Sequence, residues 1–79
     1  TLWLAGYWAK RQATVNTIAP GAVFNNHSDE FQRRVGELIM AGRMAAPDEI
    51  ADAMLFLCSA QAGYMTGQLV NVDGGFSGW

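Results

Sequence analysis

With a single cysteine, Cys58, the 79-residue chain cannot form an internal disulfide. With a single histidine, His27, it lacks the paired Cys/His ligands of a structural zinc site. Basic residues are also few: Lys10, Arg11, Arg33, Arg34 and Arg43 lie scattered under a formal net charge of −2. Without a basic stripe the sequence argues against a nucleic-acid role. No apolar run approaches the roughly 20 residues that a membrane-spanning helix needs. Nor does a charged segment followed by a short apolar run mark a secretory signal. A cytoplasmic location is the expectation. The chain opens at Thr1 with a helical pattern already running, which predicts an interior start.

What the chain does have is apolar surface. Hydrophobic residues make up 51% of it, and three Trp, four Phe and two Tyr are among them. A chain this short buries only about 60–65% of the surface its unfolded form exposes. Small folds usually add a disulfide, a metal or a partner to compensate. Lacking the first two, this chain is expected to pack against protein outside itself.

Trp3 and Tyr7, Leu4 and Trp8, and Ala5 and Ala9 stand four apart, which predicts a helix end over residues 1–13 that is apolar on most faces. Lys10 and Arg11 fall in its last turn, where cations suit the negative end of the dipole, and Lys10 is expected to cap it. The β-branched run from Thr14 to Ala19 predicts a strand over 14–19, stopped by Pro20-Gly21. A loop, 20–26, follows. Ser28 is then a helix cap with Asp29 and Glu30 behind it, and Phe31, Val35, Leu38 and Ile39 mark one face as far as Gly42. Pro47 opens a further helix over 47–59, ending at Ser59. Leu69 to Asp73 form the last strand, 69–73, closed by two glycines. Strand, helices, strand is the order of a parallel pair with a crossover. Two such strands do not make a stable sheet, so the pattern points to the edge of a larger α/β sheet.

Several combinations imitate chemistry. Tyr7 and Lys10 stand three apart, not at the four-residue spacing of the Tyr-x-x-x-Lys pair in the family that the segments quoted below resemble; Tyr7 reads as core. His27, Ser28 and Asp29 are sequence neighbours, which cannot give the geometry of a hydrolytic triad, and His27 reads as a solvated loop residue. Gly74-Gly75-Phe76-Ser77-Gly78 follows a strand without opening a helix and is no phosphate-binding fingerprint. Cys58 lies on an apolar stripe and reads as buried and inert.

Five segments together resemble the short-chain dehydrogenase/reductase family. They are Val15-Asn16-Thr17-Ile18-Ala19-Pro20-Gly21; Gly42-Arg43-Met44 with Pro47-Asp48-Glu49-Ile50-Ala51; Phe56-Leu57-Cys58-Ser59; Tyr64-Met65-Thr66-Gly67-Gln68; and Val72-Asp73-Gly74-Gly75. They are collinear and cover essentially the whole chain. The resemblance implies the C-terminal portion of a Rossmann-type doubly wound parallel sheet, arranged helix-strand-helix-helix-strand and incomplete on its own. It implies a parent enzyme that moves hydride between NAD or NADP and an alcohol or ketone.

On this resemblance, residues 20–26 are the nicotinamide-side loop, with Pro20, Gly21, Ala22, Val23 and Asn25 as cofactor-binding residues. Pro20 would fix the end of the strand, and Gly21 would let backbone approach the ring. The Val23 backbone would meet the carboxamide. Asn25 stands where the family often has threonine; an amide can both donate and accept there. An ordinary Pro-Gly turn is the bland alternative. Residues 27–42 would form the substrate lid, with Phe24, Phe31 and Leu38 as its apolar wall, unless Phe31 and Leu38 only hold the helix down. The 47–59 helix and the Leu69–Val72 strand would build a homo-oligomer interface, with Gly74, Gly75, Phe76 and Trp79 nearby. The missing N-terminal part of the enzyme would be the other partner, and no catalytic or metal-binding residue falls in this chain. The competing reading is a non-catalytic oligomerisation or interaction module derived from such an enzyme.

Overall fold

A computed structural model describes residues 1–78; Trp79 lies outside the described residues. The first helix, α1, spans Leu2–Ala9, shorter than the predicted 1–13. It ends without a glycine. Gln12 takes the left-handed conformation (φ 59°), its N–H reaching Ala9 O at 3.1 Å while the Ala13 N–H reaches Trp8 O at 3.2 Å. That pair of bonds is a Schellman closure, which satisfies carbonyls left open at the helix end. Lys10 is the C-cap, as expected, and Arg11 adds a side-chain bond there: its Nη1 donates to Tyr7 O at 2.9 Å and its guanidinium lies 4.0 Å from the Tyr7 ring centre.

Strands β1 (Thr17–Pro20) and β2 (Leu69–Val72) pair in parallel, from Thr17 with Leu69 to Pro20 with Val72. β1 starts three residues later than predicted because side chains replace the ladder before it. Val15 N–H donates to Thr66 Oγ1 at 3.1 Å, and Gly67 N–H donates to Val15 O at 2.8 Å. The Asn16 amide donates to Met65 O at 3.0 Å and accepts the Gln68 N–H at 3.1 Å. Pro20 is tolerated inside the strand for a simple reason. Thr17 and Gly21 donate to Gln68 O and Val72 O, so alternate residues face β2 and the nitrogen of Pro20 points away from it.

Helix α2 spans Asp29–Gly36, capped by Ser28 Oγ, which accepts the Phe31 N–H at 3.2 Å. It stops well short of Gly42. A Cβ on Gly36 would lie 2.7 Å from Gly42 O, so the chain doubles back directly over the helix end. Helix α3 spans Pro47–Leu57, with Cys58 as its C-cap. At its start Glu49 accepts the Ala46 N–H at 2.9 Å and both Arg43 nitrogens at 2.6 and 2.8 Å. The Arg43 hydrogen bond, with help from the Ala46 N–H, lowers the Glu49 carboxyl to about 2. A 3-10 turn at Ala60–Ala62 leads on to β2, and another at Phe76–Gly78 follows it.

The core is small. Ala5, Ile39, Met44 and Ala62 are the buried hydrophobic residues among those described, while Trp3, Leu55 and Leu69 stand 61–75% exposed. Tyr7, expected in the core, is itself exposed. The radius of gyration is 15.1 Å, where a compact chain of this length has about 12 Å. An open groove of about 550 Å³ separates β1 from α3, lined by Val15, Ile18, Ile50, Met54, Leu57 and Cys58 among others. Cys58 is therefore an exposed free thiol, not a buried one, because nothing among the described residues fills the groove beside it.

Candidate functional site

Parallel strands end at the same edge of a sheet, and ligands of open α/β sheets gather outside their carboxyl ends. Here that edge carries two segments: residues 20–26 after β1 and the turn 73–78 after β2. Gly21 is where they touch. A Cβ there would lie 2.7 Å from both Cα and Cβ of Asp73. The resemblance assigns Gly21 an approach to a bound ring; the structure adds a close approach to the Asp73 backbone.

Ala22 lines a small cavity of about 80 Å³ with Ile39, Ala41, Ala45, Val72 and Gly74. Val23 next to it pairs with Ala45 in an isolated parallel bridge. The bonds are Ala45 N–H to Ala22 O at 2.9 Å and Phe24 N–H to Ala45 O at 2.8 Å. Both use the polar groups of Ala45, so the N–H and C=O of Val23 face the opposite way. Neither has a partner among the described residues. Asn25 is exposed; its N–H donates to His27 Nδ1 at 3.3 Å and its side-chain amide bonds nothing among the described residues.

His27 is not a solvated loop residue. It is half-buried, stacked on Phe31 at 4.6 Å with a 23° interplanar angle, and met edge-on by Phe24 at 6.3 Å. Two of the three predicted lid residues thus converge on a residue the sequence reading set aside. Leu38 follows the end of α2, 60% exposed, its N–H bonded to Val35 O at 3.0 Å. The far end of the 27–42 segment is fastened separately. Ala41 N–H donates to Gly74 O at 2.9 Å, and Cβ atoms on Gly74 (φ 63°) and Gly75 (φ 89°) would meet Ile39 and Met40 at 2.7 and 2.8 Å. Asp73 organises this turn, accepting Gly75 N–H at 3.0 Å and Ser77 N–H at 3.2 Å. Hydrogen bonding from the Ser77 side chain, then from the Gly75 and Ser77 N–H groups, holds the Asp73 carboxyl below its usual range.

Tyr7 and Lys10 make no contact that could serve proton transfer: Tyr7 stacks on Trp3 at 5.6 Å and carries Arg11 on its ring. No cluster of three His, Cys, Asp or Glu side chains suited to a metal occurs among the described residues. No helix among them is long and apolar enough to cross a membrane. Besides His27, sequence reasoning missed Asn16 and Asp73 as organisers of the edge. A histidine with phenylalanines three residues before and four after it was the available signal for the first.

A family model described as enoyl-(acyl carrier protein) reductase matches residues 1–77. The chain is 40% identical over 76 residues to 3-oxoacyl-[acyl-carrier-protein] reductase FabG of Aquifex aeolicus, a match covering 91% of this chain and 31% of that protein. It superposes on a short chain dehydrogenase family protein from Francisella tularensis with a TM-score of 0.91 and 34% identity, covering 100% of this chain and 39% of the other. A short chain dehydrogenase from Leptospira borgpetersenii, solved with bound NAD+, gives 0.87 and 38% over 98% of this chain and 30% of its own. The chain thus spans about a third of the length of the proteins it matches.

Proposed function

The chain belongs to the short-chain dehydrogenase/reductase family, and from that premise we propose that it is the carboxyl-side portion of an NAD(P)-dependent oxidoreductase acting on an alcohol or ketone. Its residues hold and orient; the groups that move protons belong to segments outside this chain. The relatives carry oxidoreductase names, which favours this reading over a separate interaction module.

Val23 is the observation that carries the proposal. Val23 is half-buried at the carboxyl edge of the sheet, and its N–H and C=O have no partner among the described residues. A backbone polar group in that position calls for a partner. A nicotinamide carboxamide offers one acceptor and one donor, which is the complement of what Val23 presents. The nicotinamide, when bound, supplies hydride transfer. Ala22 and Val23 would position it, with the Asn25 amide free to reach a second polar group. Residues 27–42, fastened at Met40 and Ala41, would cover the substrate and exclude water. At the other side of the chain, Met54, Leu55 and Phe56 of α3 and Leu69 of β2 stand exposed, and β2 has an unpaired edge. Exposed apolar surface and an open strand edge call for cover, which suits a two-fold contact with a second copy.

Replacing Val23 with its α-hydroxy acid analogue in the intact oxidoreductase deletes one N–H and leaves the side chain. NAD(P)H affinity is expected to fall about tenfold, equivalent to one lost hydrogen bond of about 1–1.5 kcal/mol, with a smaller loss of folding stability because the Ala22 carbonyl, now an ester, accepts the Ala45 N–H less well. Undiminished affinity would refute the assignment.

A further inference from the structure

His27 stands where the loop after β1 meets the lid helix. Phe24, whose backbone is strapped to Ala45 at 2.8 Å, presents its ring to one edge of the imidazole. Phe31, in the first turn of α2, lies flat against it at 4.6 Å. Nδ1 accepts the Asn25 N–H at 3.3 Å, and the His27 carbonyl accepts the amide of Gln32 in α2 at 3.1 Å. No other hydrogen bond or ring contact among the described residues joins 22–25 to α2. One side chain therefore reads the position of the loop on one side and of the helix on the other.

We propose that His27 is a positioning residue that couples the two, so that a nicotinamide seated on residues 21–25 also steadies α2 over the substrate. The proposal rests on the reading of that loop as the nicotinamide side. A residue that only packed would protect the helix equally with and without cofactor. A coupling residue transmits the difference, because two sites communicate only through an element that both bias.

Hydrogen exchange on the intact oxidoreductase, with and without NAD(P)H, separates these cases. In the wild type, cofactor is expected to slow exchange of amides 21–25, and of 29–36 by about tenfold. In His27→Ala the loop amides should still slow, while the helix responds by less than about twofold. Should His27→Ala not fold, two variants that each keep one link carry the test. His27→Asn retains a polar atom near Nδ1 without the ring, and His27→Phe retains the ring without the acceptor; each should show a reduced helix response. A full helix response in His27→Ala, or in both single-link variants, overturns the proposal and leaves the cofactor reading standing. Loop amides that ignore cofactor in the wild type would sink the cofactor reading itself, and this inference with it.

Discussion

Gly21→Ala tests the tightest contact of the candidate site. The added Cβ would lie 2.7 Å from Cα and Cβ of Asp73, whereas carbon atoms pack comfortably at about 3.5–4.0 Å. The two segments must therefore part by roughly 1 Å. No rotamer relieves the clash, since Asp73 meets it with its backbone and the first atom of its side chain. Opening the gap stretches the Gly21 N–H to Val72 O bond, 3.0 Å long at the end of the ladder. Overpacking of this kind costs about 1–3 kcal/mol, and a weakened hydrogen bond about 1 kcal/mol. Against that, alanine stiffens the unfolded chain, an offset of about 0.4–1 kcal/mol. A net loss of about 1–3 kcal/mol follows. Urea denaturation of the intact protein should show it as a lower midpoint with an unchanged slope. Because Ala22 and Val23 shift with Gly21, NAD(P)H affinity should fall as well. An alanine variant with unaltered midpoint and unaltered affinity would show that the Gly21–Asp73 approach constrains nothing.

Two further outcomes follow from hydrogen bonds at the start of β1 and α3. Asn16→Ala removes both bonds that precede the ladder, leaving half-buried Met65 O and exposed Gln68 N–H without their partner. A loss of about 1–2 kcal/mol is expected by the same urea assay, and a loss under about 0.3 kcal/mol would contradict that role. Glu49 titrates from 4.5 to about 2 on folding, so it stabilises the fold above the higher value and loses that contribution as pH falls through the lower. Wild type should therefore exceed Glu49→Gln in stability at neutral pH, the gap closing in acid; a gap that widens in acid would show the sign to be wrong.

Much of the element order was legible because local chemistry decides it. Pro47 begins a helix, Ser28 caps one, and two β-branched runs separated by helices pair in parallel, as found. The boundaries were less legible wherever distant residues set them. α1 closes on Gln12, a residue with no intrinsic preference for positive φ, so no glycine advertises the end. α2 stops because Gly36 must admit Gly42 from the returning chain. β1 begins late because Thr66 Oγ1 accepts the Val15 N–H and the Asn16 amide donates to Met65 O and accepts the Gln68 N–H, side-chain bonds that stand in for a ladder. That last case explains why two motifs recognised separately form one joint: each supplies what the other lacks. The candidate loop was legible as a position, through Pro20 and Gly21, but not as a mechanism. Its geometry comes from Ala45, Asp73 and His27, none of which lies within it.

The register of the two strands also has a history in time. Thr17 pairs with Leu69, a separation of 52 residues. At about 5–20 residues per second, a ribosome delivers the second strand roughly 3–10 s after the first. Throughout that interval the 20–26 segment has neither Val72 nor Asp73 to lean on. The loop is thus written well before the supports that shape it. A nascent chain in this condition is a natural client for a holdase chaperone until β2 arrives.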